Sequence, residues 1–334
     1  MPYSTYASKM DVFGSMNTAI TQADQAFATS SKVRGTSIEN ATKLGVEGEE
    51  SITNKTQLLY KISFKIYNAS PSGDKTPIKA SSTYLGISNP LGTLLIGRNN
   101  TVFKSTATNI DIFNHTDASL SHLIAGQVRS PDSISYYSPI LSSLLTFNGT
   151  YLMSTNQKDN LQSNAHNLFA FAVNLGDPHL HSRPYFYSLS YNRGIGNIDA
   201  FRWISQIKWR AFILSELSQY SQSRIMNEQN MKGCSHDFNL SYRFGRLQLN
   251  AEYGLDSAGL GDYFYYATGG SDTDKSTISD VNISQVALGA QYQLSRSTKL
   301  YCLDTLYQGQ YKDRGTLVTL NSDNIVSVGI DYHF

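Results

Sequence analysis

The stretch QLLYKISFKIY, residues 57–67, alternates with a period of two. Leu58, Tyr60, Ile62, Phe64 and Ile66 share one side, and Lys61, Ser63 and Lys65 share the other. Only an extended strand places every second side chain on one face. The pattern recurs in MDVFGSMNTAI (Met10, Val12, Gly14, Met16, Ile20), in LLTFNGTYLM, in HDFNLSYRF and in VSVGIDYHF. The polar faces carry isolated Lys and Arg among small polar groups, so the apolar faces do not read as the buried side of an aqueous core. Nor does any apolar run approach the ~20 residues that a membrane-crossing helix needs; one of the longest is AFILSEL, around Phe212. A barrel needs far less, about 10 alternating residues per span.

The connections carry the second half of the argument. Brief joints rich in Pro, Gly, Asn and Ser, such as SNPLG, SPILSS, the Gly245–Arg246 pair and SRST, suit tight hairpins. Between them lie long polar segments: 21–40, 68–80, 99–131, roughly 155–183, 221–234, 255–279 and 309–323. Short and long joints are expected to alternate strictly, as in an outer-membrane barrel with short periplasmic turns and long extracellular loops. About sixteen strands are expected, near 9–19, 41–48, 56–66, 81–87, 93–98, 132–138, 143–154, 166–174, 185–193, 198–206, 209–220, 235–244, 246–254, 280–294, 298–308 and 324–334. The reading is an all-β transmembrane antiparallel β-barrel, one domain over residues 1–334, with lipid outside and water inside. The 22 Tyr and 15 Phe then supply aromatic girdles at the two interfaces.

Other chemistry is weaker. A formal charge of +1 argues neither for nucleic acid nor for a polybasic membrane patch. Cys234 and Cys302 read as free small residues. His179 and His181 have metal-compatible spacing but no third ligand, GGSDTDKS lacks most carboxylates of a calcium loop, and NRGIGNID reads as a turn. No catalytic residue, metal or cofactor is expected, and the chain is not read as an enzyme. The opening MPYSTYASKMDVF shows no basic segment followed by an apolar run, so the numbering is expected to begin on a mature chain.

Several segments together resemble the general-diffusion porins of Gram-negative outer membranes, in the branch typical of Neisseria and its β-proteobacterial relatives. These are MDVFGSMN, TKLGVEGEE, STYLGISNPLGTLLIGRNN, SPDSISYYSP, VALGAQYQLSRSTKLY and VSVGIDYHF, in family order, with a poor match over 155–235. The resemblance implies a sixteen-stranded barrel, a homotrimer in outer-membrane lipid and lipopolysaccharide, and passive diffusion of ions and small hydrophilic solutes. It also implies a third loop folded into the pore, here 99–131, setting acidic groups against a basic wall. Strand parity nominates Lys43, Lys61, Lys65 and Arg243 for that wall, together with Arg98, where the fifth strand meets the loop; the loop offers Asp111 and Asp117. Ser15 and Ser135 stand where the family usually has Arg, so the basic ladder rests more on lysines. A weakly selective pore with a slight anion preference follows. The alternatives are a substrate-specific channel of the same fold, or a barrel adhesin or enzyme. The resemblance also makes the terminal aromatic, Phe334, part of the signal read by the outer-membrane assembly machinery.

Overall fold

The computed structural model describes residues 8–66, 78–153, 167–270 and 273–334. Among these described residues seventeen strands occur, sixteen of which form the wall. They are β1 (Ser8–Ala23), β2 (Gly35–Thr53), β3 (Thr56–Ile66), β4 (Ile78–Asn89), β5 (Gly92–Asn100), β6 (Arg129–Tyr137), β7 (Leu145–Leu152) and β8 (Leu168–Gly176). Then follow β9 (Tyr185–Arg193), β10 (Ile198–Trp209), β11 (Phe212–Ser223), β12 (Lys232–Phe244), β13 (Leu247–Asp256), β14 (Ile278–Gln293), β15 (Thr298–Asp313) and β17 (Asp323–His333). The four-residue β16 (Thr316–Thr319) only hairpins back on the end of β15.

Every wall strand pairs antiparallel with its neighbours, and β17 closes the ring by pairing with both β15 and β1. Closure leaves no edge, so each wall strand's amides and carbonyls find partners without water, as hydrocarbon requires. The seam continues to the last residue: Phe334 exchanges both backbone hydrogen bonds with Gly14, at 3.0 and 2.9 Å. Its ring lies across Gly14, where a Cβ would come within 2.3 Å of Phe334 Cζ, so a side chain at that position would push the terminal ring aside.

Parity sorts the faces as the alternation requires. Val326, Val328, Ile330 and Tyr332 are all exposed on the outer face of β17, while Ser327 is buried on the inner face. Near the periplasmic rim the outward aromatics include Trp209, Phe212, Tyr242, Phe244, Tyr292, Tyr332 and Phe334. Trp209 stacks on Phe212, which packs against Tyr242 with ring centroids 4.7 Å apart. Such rings are stable where headgroups meet hydrocarbon.

Three expectations need correction. The alternation of joint lengths is not strict: residues 194–197 connect β9 to β10 at the extracellular rim in four residues, while 177–184 is an eight-residue periplasmic turn. The segment 155–183 therefore is not one loop, since β8 lies within it. In that turn Asp177 accepts the backbone N–H groups of His179, His181 and Ser182, which hold its carboxyl well below the usual range and shape the HLH stretch as a turn. The strands also run further than their apolar alternation. β2 extends from Gly35 to Thr53, because hydrogen bonding to β1 persists where its side chains leave the lipid.

Candidate functional site: the pore constriction

The connection from β5 to β6, residues 101–128, does not project outward but crosses the lumen and lies against the inner wall. It opens with the helix α1 (Val102–Thr108), capped by Thr101 Oγ1, which accepts the Lys104 N–H. Val102 and Phe103 are buried against Leu152, Leu168, Ala170 and Ala172 of β7 and β8 and Ile198 and Ala200 of β10. Small inward residues on β8 and β10 make room for the helix. Ser135 lies under it as well: its hydroxyl meets Thr150 Oγ1 at 2.9 Å, and Thr150 Oγ1 accepts the Val102 N–H. Ser135 therefore belongs to the floor beneath the loop.

Arg202 on β10, fully buried, fastens both ends of this loop. Its Nη1 donates to Phe103 O at 2.7 Å, its Nη2 to Ala125 O at 3.2 Å, and its Nε to Gln219 Oε1 at 2.8 Å. The guanidinium also lies 3.8 Å from the Phe103 ring centroid. Farther along, Gln285 Nε2 donates to Ala118 O, and Tyr307 Oη donates to Asp117 O. Leu123 occupies the space a side chain at Gly254 would fill, with Cδ2 only 2.3 Å from the position of a Cβ. The sequence reading did not single out Arg202, although it sits on the inward parity of FRWISQIKW between outward Phe201 and Trp203.

With the loop packed on the β7–β15 side, the open channel runs beside β1–β3. Register places Ser15 opposite Lys43, Lys43 opposite Lys65, and Glu47 opposite Lys61, all facing inward. Lys61 is ion-paired with Glu47, and its Nζ lies 4.5 Å from the Phe13 ring centroid, with Lys43 at 5.3 Å. Ser15, Lys43 and Lys65 line the outer part of the lumen together with Lys104 and His115 of the loop. Arg129, at the start of β6, stands beside them and donates to Ser81 Oγ at 2.8 Å. Lys104 donates to Gln127 O; burial, with the charges of Arg129 and Lys65, lowers its pKa to about 8. Burial and the nearby lysines 65, 43 and 104 lower His115 to about 4, so its imidazole is neutral at pH 7.

The inner part of the lumen is bordered by Arg243, Arg246 and Lys299 on the wall, with Asp331. Outer and inner parts meet at Asn17, Asp111, Asn114, Thr116 and Tyr301, which border both. Asp111 thus stands at the narrowing. Its Oδ2 accepts from Ser119 at 3.1 Å, and burial raises its pKa to about 6.

The structure gives two nominated residues other surroundings. Asp117 borders the outer part of the lumen but is only 7 % exposed, and its Oδ2 accepts from Ser327 Oγ of β17, so it also ties the loop to the wall; burial raises it to about 6. Arg98 lies opposite Thr83 with the parity of the exposed Leu94 and Ile96, which puts it on the outer face of the barrel. Its Nε donates to Ser81 O at 3.1 Å. Arg243 faces inward but near the periplasmic mouth, where Nη2 donates to Gln248 Oε1. What the site can do is electrostatic: Lys43, Lys65 and Lys104, with Arg129 beside them, border a wet passage together with Glu39, Asp111 and Asp117, and Asp111 at the narrowing loses its charge below about pH 6.

The fold agrees with solved barrels. The anion-selective porin of Comamonas acidovorans matches with a TM-score of 0.71 at 16 % identity, over 98 % of this chain and 100 % of that one. The trimer form of OmpT, an outer membrane protein of Vibrio cholerae, matches with 0.68 at 13 % identity, over 98 % and 100 %. OmpF of Salmonella typhi, in complex with daunomycin, gives 0.69 at 13 % identity, over 98 % of each. None of the curated protein sequences compared with the chain matches it. The family model for Gram-negative porins, however, matches residues 4–303. Both the sealed sixteen-strand wall and this match over most of the sequence lead to one conclusion: the chain belongs to the Gram-negative porin family and forms a diffusion channel in the outer membrane.

Proposed function

We propose that this porin is a passive, non-enzymatic channel, weakly selective with a preference for small anions, and that it works as a homotrimer. The observation that carries the selectivity is the imbalance at the narrowing. Lys43, Lys65 and Lys104 border one passage with Arg129 beside them. Of the carboxylates that border it, Glu39 accepts from Ser30, Ser31 and Ser37, Asp117 accepts from Ser327, and burial raises Asp111 and Asp117 to about 6, while Glu47 nearby is ion-paired with Lys61. A local excess of positive charge raises anion concentration within about a Debye length, some 8–10 Å at physiological salt, and the preference weakens as salt rises. The similar barrel described as a trimer supports the assembly.

The test is the reversal potential of single channels in a planar bilayer under a KCl gradient. An anion-selective sign that shrinks at high salt supports the proposal, and strong cation selectivity overturns it. Closure in three equal steps supports three pores per particle.

A further inference from the structure

Among the described residues, four charged side chains take the outward parity in the middle of the wall: Arg98, Asp132, Glu216 and Asp304. Asp132 lies in the β6 bulge beside Arg98, though the two form no ion pair. Glu216 is accounted for on its own surface, since Ser218 and Ser205 donate to it. Asp304 is different. It lies between outward Leu288 and Val326, is exposed, and its carboxylate has no hydrogen bond or ion pair among the described residues. Arg98 spends only Nε on Ser81 O, which leaves Nη1 and Nη2 without partners among the described residues.

Both positions lie inside the hydrocarbon band. Arg98 is the seventh residue of β5 and Asp304 the seventh of β15, and both strands rise from the periplasmic rim. At about 3.3 Å per residue and a tilt of about 40°, seven residues climb roughly 16–18 Å within an apolar band about 25 Å tall. A charged side chain is costly on a lipid-facing surface at that depth. Opposite charges at one height invite pairing, yet within one subunit they are separated by β17, β1, β2, β3 and β4.

We propose that Arg98 of one subunit pairs with Asp304 of the next across the interface of the trimer. This rests on the homotrimer reading above and adds the contact that sets its register. In a closed three-membered ring every interface is head-to-tail, so the left flank of one subunit meets the right flank of its neighbour. β5 and β15 each lie three strands from β2, on opposite sides. With β2 toward the three-fold axis, the two flanks face each other at equal distance from it and at equal height. The sector between them has its own polar seam on the outer face, where Asn40 donates to Thr18 Oγ1 and accepts from Thr42 Oγ1. A guanidinium can offer its two Nη groups to one carboxylate in a bidentate fork, the geometry best suited to such a pair.

The experiment compares wild type, Arg98→Gln, Asp304→Asn and the exchanged double variant Arg98→Asp/Asp304→Arg, refolded in detergent and followed by native mass spectrometry and the rate of trimer dissociation on heating. Each single variant is expected to dissociate about tenfold faster or more, the exchange to recover most of the loss, and single-pore conductance to stay unchanged. Wild type that is folded yet monomeric overturns the homotrimer reading itself. Stable trimers whose single variants dissociate at the wild-type rate, or an exchange no better than the worse single variant, overturn the ion pair alone. Cross-linking of Arg98→Cys to Asp304→Cys by a bifunctional maleimide, in a background lacking Cys234 and Cys302, keeps the test open if a charge variant fails to fold. Linked pairs between subunits support the contact, and their absence in intact trimers refutes it.

Discussion

Replacing Arg202 with Met keeps a long, flexible side chain but removes the fastening of the constriction loop. Three hydrogen bonds disappear. Ala125 O retains a partner, because Gln219 Nε2 also donates to it at 3.2 Å. Phe103 O likewise keeps the Thr106 hydroxyl at 2.8 Å, so Gln219 Oε1 alone loses the donor that satisfies it, at a cost of about 1–3 kcal/mol when buried. Lost stacking on Phe103 adds about 0.5–1 kcal/mol, while lumen water recovers part of the whole. A net loss of about 2 kcal/mol raises the population of a displaced loop by roughly thirtyfold, since each 1.4 kcal/mol is a factor of ten. Because the wall ladders are untouched, the barrel is expected to fold and resist heat almost as wild type does. The assay is single-channel recording with limited proteolysis: larger or noisier open-channel current and cleavage within 101–128 are expected. Conductance, noise and protease resistance all matching wild type would refute the role given to Arg202.

The remaining expectations concern charge and the seam. Lys43→Glu with Lys65→Glu turns two positive groups of the passage negative, so the reversal potential should change sign toward cations with little change in conductance at high salt. Anion preference should also rise as pH falls from 7.5 to 5, because Asp111, at about 6, becomes neutral while Lys104 becomes fully charged; it should decline above pH 8 as Lys104 loses its proton. A salt-gradient titration across this range checks the sign, and a flat profile would remove Asp111 and Lys104 from the selectivity argument. Deleting Phe334 removes the last backbone pair with Gly14 and an aromatic at the rim. The yield of assembled barrel should fall, while the conductance of molecules that do assemble stays near wild type.

Much of this protein was legible one residue at a time. The period of two belongs to the strand itself, so it separates lipid-facing from water-facing side chains without knowledge of neighbours. Lys43, Lys61, Lys65 and Arg243 were placed on the inner face by that rule, and the structure puts them there. The same rule already held Arg98 outward with Leu94 and Ile96; the expectation of a pore role followed its nearness to the loop instead. Parity says nothing, however, about what covers an inward residue. Whether Ser135 and Arg202 meet solute or lie beneath the loop, and whether Asp117 of the loop turns to the wall, depends on where residues 101–128 settle, and that is decided by contacts with β7–β15 and β17, far away in sequence. Alternation is a local consequence of extended backbone and is determined by sequence alone. The constriction is made by packing one irregular segment against a closed wall, and only the tertiary structure decides it.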